Sequence, residues 1–208
     1  MLSPLLPALA RQRSPVAHLS PSMLAFETSN GLAVTWNEVR AFTTAIAWHF
    51  KNPQCLIDEV AFQEDLIVLV RKLTYMLDAA RVGEERLRTL GALILLRTFE
   101  RPIAALKVRS KLIIEDMVRT SSSLTAVADQ NLLLWTITFG GMVTDDGSPE
   151  QALLISHIHS VNPNLYKFDD SLGDWFQVRR VLENFPWVEE IHEVPCKLFW
   201  EKSSLYPP

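Results

Sequence analysis

The stretch Leu132-Leu133-Leu134-Trp135-Thr136-Ile137-Thr138-Phe139-Gly140-Gly141-Met142 constrains this chain more than any other, because it carries no charge on any side. A surface helix needs a polar face, so a segment that is apolar all round has to be enclosed by other elements. At this length it falls well short of the roughly 20 residues that cross a bilayer, which places it at the centre of a helical core. Trp175, Trp187 and Trp200 follow it and are its expected packing partners.

Composition agrees with a large core. The chain has 208 residues and is 48% hydrophobic, enough for one well-filled domain. A net charge of −4, from 20 basic and 24 acidic side chains, gives no extended basic face for gripping phosphates, so direct nucleic-acid binding is disfavoured. Two cysteines, Cys55 and Cys196, exclude a disulfide-dense scaffold and a cysteine-only zinc site, and fit a reducing, intracellular setting. The start of the chain, residues 1–33, reads as a flexible tail. Its apolar run Leu5 to Ala10 is proline-broken and not preceded by a basic region, which argues against a secretory signal. Its acid-free stretch with Arg11 and Arg13 only faintly suggests a transit peptide.

From residue 34 onward the pattern is helical. Thr35-Trp36-Asn37-Glu38 reads as a capping box opening a helix through about Phe50. After Asn52-Pro53, Asp58 caps a long helix with Phe62, Leu66, Leu69, Leu73, Met76 and Ala80 on one stripe. Gly83 stops it. Leu87, Leu90, Ile94 and Leu95 make the next stripe, Arg101-Pro102 restarts the chain, and Leu106, Ser110, Ile113, Ile114 and Met117 share a further face. Ser121-Ser122-Ser123 is expected to be a loop before the apolar helix. Asp145-Asp146-Gly147 is a turn. Ser148-Pro149-Glu150-Gln151 is a strong helix start, and the helix it opens should end near Asn162-Pro163. Ser171 with Asp174 caps a helix bearing Trp175, Val178 and Leu182, and Pro186-Trp187 begins the terminal segment. No alternating strand pattern intervenes, so the expected architecture is all-α, an irregular multi-helix bundle in a single domain over residues 34–208.

No constellation for catalysis or metal binding passes its own test, so no catalytic, cofactor or metal-ligating residue is assigned. His157 and His159, two apart on a helix, point to nearly opposite faces, with one expected half-buried and the other solvated. His192 and Cys196 have the better spacing of four, but Pro195 between them makes a shared helical face doubtful, and a buried thiol is the plainer reading. The acid pairs Glu64-Asp65, Glu115-Asp116, Asp169-Asp170 and Glu189-Glu190 are adjacent, whereas carboxylate pairs that cleave glycosides face one cleft from separate places. Gly140-Gly141 lacks the Lys-Ser/Thr of a phosphate loop and is read instead as a point of close helix approach or a bend. Six tryptophans are read as core, with a small-molecule-binding protein or pathway-specific enzyme using a pocket walled by Trp135, Trp175 and His157 as the alternative.

The order of motifs does resemble a known family. Leu132 to Gly141, then Val181-Leu182-Glu183-Asn184-Phe185-Pro186-Trp187-Val188, then Lys197-Leu198-Phe199-Trp200-Glu201 is similar to the C-terminal regulatory region of fungus-specific zinc-cluster transcription factors. There a "LLW…GG" helix precedes "FxWV" and closing "LW" elements. Arg86 to Phe99 looks like the helix before them, so the likeness runs from about Trp36 to the end. It implies a nuclear, helical module that regulates transcription, pairs with protein partners or itself, or senses a small effector. In that family six cysteines holding two zinc ions grip DNA. Two cysteines cannot supply six ligands, so the resemblance implies a module without its own DNA-binding cluster, with no membrane association and no catalytic residues.

Overall fold

In a computed structural model the described residues are 28–55, 57–80, 83–99, 104–123, 129–161 and 175–205. Eight helices occupy them: α1 Thr28–Lys51, α2 Glu59–Ala79, α3 Glu84–Arg97, α4 Ala104–Ser122, α5 Gln130–Met142, α6 Pro149–Val161, α7 Trp175–Leu182 and α8 Glu189–Leu205. There is no strand among the described residues. The architecture is an all-α multi-helix bundle in a single domain.

Two helices make the centre. In α5 every residue from Leu132 to Gly141 is buried, as an apolar surface without a polar face requires. Its partner α3 is nearly as enclosed, with Leu87 and everything from Thr89 to Leu96 buried. The two pack most extensively on each other. Gly91 is the reason they can. A Cβ there would run into the six-membered ring of Trp135, so glycine lets the indole lie directly on the α3 backbone. Around this pair, α1, α2 and α4 cover α3, while α6, α7 and α8 cover α5. The apolar stripe expected on α2 faces inward with Leu66, Leu69 and Leu73 buried and Phe62 packed on the core.

Caps set the helix boundaries. The Asp58 side chain accepts from Val60 N and Ala61 N at 3.1 and 3.2 Å. Asp129 does the same for α5, from Asn131 N at 2.9 Å and Leu132 N at 3.3 Å. Ser148 Oγ accepts from Gln151 N, and the Gln151 amide reaches back to Gly147 N, so the start of α6 is closed from both sides. Gly83 precedes α3 with φ 113° and Gly147 turns with φ 68°, left-handed values that favour glycine. Ion pairs then tie neighbours: Lys72 with Glu38 across α2 and α1, and Arg86 with Asp116 across α3 and α4. Arg86 also donates to the carbonyls of Leu77 and Ala80, closing the end of α2.

Several expectations are corrected. Thr35 does not cap α1, which begins at Thr28. Thr35 is buried within the helix, and Glu38 reaches Lys72 of α2 instead of its own backbone. The serine cluster is not a loop: Ser121 and Ser122 form the last turn of α4, their hydroxyls returned to the Val118 carbonyl, a bond that lets serine remain helical. Pro195 does not interrupt α8. The buried face Cys196, Phe199, Trp200 and Ser203 holds the helix together past a residue that costs about 3 kcal/mol in a helix interior. The Arg101-Pro102 restart, the Asn162-Pro163 end, the Ser171 and Asp174 cap, and residues 1–27 of the expected tail lie outside the described residues, as do the side chains of Leu106 and Ser110.

Candidate functional site

The three stretches that carry the sequence resemblance converge on one aromatic junction around α5. Trp135 lies with its ring centroid 5.6 Å from Trp36 of α1, edge to face, and stacks on Phe185 at 5.2 Å. Phe139, one turn along, meets Trp187 at 5.9 Å and His192 at 4.9 Å. One half-turn further the helix has Gly141, where a Cβ would overlap the Phe199 ring of α8. Gly140 is similarly tight against Met117 of α4. The reading of Gly140-Gly141 as a point of close approach therefore holds, and the physical cause is a ring on one side and a thioether on the other.

His192 is fully buried and both of its ring nitrogens are used. Nδ1 accepts from Val188 N at 2.9 Å, and Nε2 meets Thr98 Oγ1 at 3.0 Å. Because the Thr98 hydroxyl already donates to Leu95 O, it accepts from Nε2–H, which assigns the neutral tautomer. Burial pushes the imidazole down to about 3. The residue thus pins the Phe185–Val188 corner to the end of α3 and begins α8 by reaching back to its first backbone donor. Cys196 shares its buried face one turn on, correcting the expectation that Pro195 would separate them. Burial raises this thiol far above its ordinary value, and its sulfur faces the Met142 thioether at 3.5 Å. The buried-thiol reading stands.

His157 and His159 do point to opposite partners, but neither is solvated: they are 8% and 7% exposed. His157 Nε2 lies 2.5 Å from Ser121 Oγ on α4, and His159 Nε2 lies 2.8 Å from the Ser203 carbonyl on α8. The reason is that α6 sits between two helices, so both of its sides are interior. Burial lowers His157 below the ordinary imidazole value. Trp135, Trp175 and His157 are held in separate surroundings: Trp135 among Trp36, Phe139 and Phe185, Trp175 by its N–H to Glu193, and His157 at Ser121. Among the described residues no group of three His, Cys, Asp or Glu side chains is arranged to hold a metal ion. No described helix is long and apolar enough to cross a membrane.

Two arginines border the junction and were not singled out by sequence. Arg88 of α3 lies over the Trp36 ring, its Cζ 5.5 Å from the centroid, and Arg40 of α1 donates to the Asn184 carbonyl at 2.6 Å. The signal for Arg88 was its spacing of three from Gly91, which puts it on the α3 face that receives Trp135. Set against known proteins, the chain matches no family model, no curated protein and no solved structure.

Proposed function

We propose that this chain is a helical regulatory module of the fungal transcription-factor type, without its own DNA-binding zinc cluster, that acts in the nucleus through a protein partner or a small effector and is not an enzyme. The observation that carries this reading is the meeting of the three motif stretches. Residues drawn from Leu132–Gly141, Phe185–Trp187 and Phe199 lie against one another although up to about 60 positions separate them, so the motif order is a record of one packed unit. A buried aromatic hub suits a module whose output is a contact made elsewhere on its surface. DNA contact would then come from the partner.

The test is a fusion of the whole chain to a heterologous DNA-binding domain in a fungal host, with reporter transcription and co-purification read in parallel. The expected result is a changed reporter level, recovery of a transcription factor or of a second copy of this chain, and loss of both on Phe185→Ala. An unchanged reporter together with empty pull-downs from a soluble, folded fusion refutes the proposal.

A further inference from the structure

Among the described residues α2 packs chiefly on α1 and α3, and Leu66, Leu69 and Leu73 are the face it buries there. Its opposite face is not the polar surface that an outer helix normally presents: Val60, Ile67 and Tyr75 are 68%, 48% and 58% exposed. At 3.6 residues per turn these three, with Glu64 and Arg71 between them, fall within an arc of about 80°. Exposed apolar side chains scattered singly need no explanation, but three in line along about 22 Å of one helix form a patch. Glu64 and Arg71 are exposed as well, and neither has an ion-pair partner among the described residues. Two turns of helix, about 10 Å of rise, keep them from pairing with each other.

These five residues are ordered so that the face complements itself. Val60 and Tyr75 share one midpoint with Glu64 and Arg71, and that midpoint lies beside Ile67. A second α2 laid antiparallel across a two-fold axis at this point sets Val60 of each copy against Tyr75 of the other and Glu64 against Arg71 twice, with the two Ile67 side chains meeting at the centre. A parallel copy would instead place Glu64 beside Glu64 and Arg71 beside Arg71. We infer that the outer face of α2 is a docking surface for a second copy of this chain, paired antiparallel about Ile67. The contact is isologous, so it closes at a dimer. The crossed charge pairs fix its direction, because like charges brought together disfavour the parallel arrangement. Near-antiparallel crossing is ordinary helix packing and also opposes the two helix dipoles. One helix face makes a small interface, under about 1,200 Å² in total, so the dimer is weak and reversible. This deepens the partner side of the proposed function and rests on that reading for its consequence alone, since association is measured on the chain by itself.

The experiment is sedimentation equilibrium of the full chain from about 5 to 500 µM, a range suited to a weak dimer. The expected result is reversible association that stops at twice the monomer mass. Arg71→Glu alone and Glu64→Arg alone each place like charges together twice, so each should weaken association at least about tenfold. The double variant Glu64→Arg with Arg71→Glu restores both pairs and should return to within about threefold of the original. An equimolar mixture of the two single variants should associate more tightly than either alone, because one copy then presents two cations and the other two carboxylates. Ile67→Asn should weaken association, while Leu198→Ser, at another exposed apolar position on α8, leaves it unchanged. All of these positions are exposed, so the fold is kept, and far-UV circular dichroism checks it. A chain that stays monomeric throughout overturns the inference, as does a dimer indifferent to both Arg71→Glu and Ile67→Asn. A double variant no better than the single ones, or a different protein recovered on these residues while the chain remains monomeric, overturns it too. A dimer that behaves as expected beside a silent tethered reporter and empty pull-downs would refute the regulatory reading and leave the surface intact; a monomer with an active reporter would do the reverse.

Discussion

Gly91→Ala puts helix propensity and tertiary packing in direct conflict. In the interior of α3, replacing glycine by alanine should stabilise the helix by about 1 kcal/mol on propensity alone. At this position the new methyl group would stand 3.0 and 3.1 Å from Trp135 Cη2 and Cε3 and closer still to Cζ3. The ring cannot retreat, because Trp135 is fully buried with Phe185 stacked on one side and Trp36 set edge-on. Overpacking of this kind costs roughly 1–3 kcal/mol, and contact with three ring atoms argues for the upper half of that range. The net expectation is a loss of about 1–2 kcal/mol, which for a chain of this size lowers Tm by roughly 2–8 °C. The same substitution in a Trp135→Phe background, where the offending ring atoms are absent, should be neutral or stabilising by up to about 1 kcal/mol. Urea unfolding followed by far-UV circular dichroism reads both backgrounds without relying on tryptophan emission, and equal m-values confirm that the comparison is of stability. Stabilisation of the wild-type background by Gly91→Ala, or the same change in both backgrounds, would refute the placement of Trp135 on α3.

Trp135→Ala removes one of the two fully buried tryptophan side chains and should cost roughly 3–5 kcal/mol in the same assay, so a variant within about 1 kcal/mol of wild type contradicts a central α5. His192, pushed by burial from the ordinary imidazole value of 6.5 down to about 3 in the fold, stays neutral where an unfolded chain takes up a proton. Its contribution to stability is therefore complete above pH 6.5 and declines as pH falls toward 3, amounting to about 2 kcal/mol lost at pH 5. His192→Asn should be less stable at pH 7.5 yet lose less between pH 7 and 5, and parallel pH profiles for the two proteins count against a neutral buried imidazole. Thiol titration with a chromogenic disulfide should find Cys55, which is partly exposed, reactive in the native protein and Cys196 reactive only after unfolding; rapid labelling of both would show that α8 does not bury its thiol.

What was legible in the sequence follows from which signals are local. The burial of α5 could be read because the absence of charge on every side leaves no orientation with a solvent face. The Asp58 and Ser148 starts could be read because a cap is made within four residues. Thr35 failed as a cap because the same hydroxyl that can begin a helix is tolerated inside one when its surroundings are apolar. His157 and His159 showed opposed directions from spacing, but their burial depends on α4 and α8 flanking α6, which no local pattern encodes. The continuity of α8 through Pro195 likewise depended on Phe199 and Trp200 finding α5. For the candidate site, the aromatic residues were visible and the two arginines were not, because a cation over a ring, as Arg88 is, or on a distant carbonyl, as Arg40 is, reads in sequence as an ordinary solvated charge.

A core built this way separates fold from function along a physical line. An element that is apolar on every side accepts neighbours by size and shape, so Gly91, Gly140 and Gly141 are set by a ring or thioether pressing on each, and such positions carry no chemistry. Chemistry can enter only where a polar group is drawn into that interior. The buried histidines and threonines are mostly answered, as His192 is by Val188 and Thr98 and as Thr136 is by the Leu132 carbonyl. Those groups rigidify the bundle.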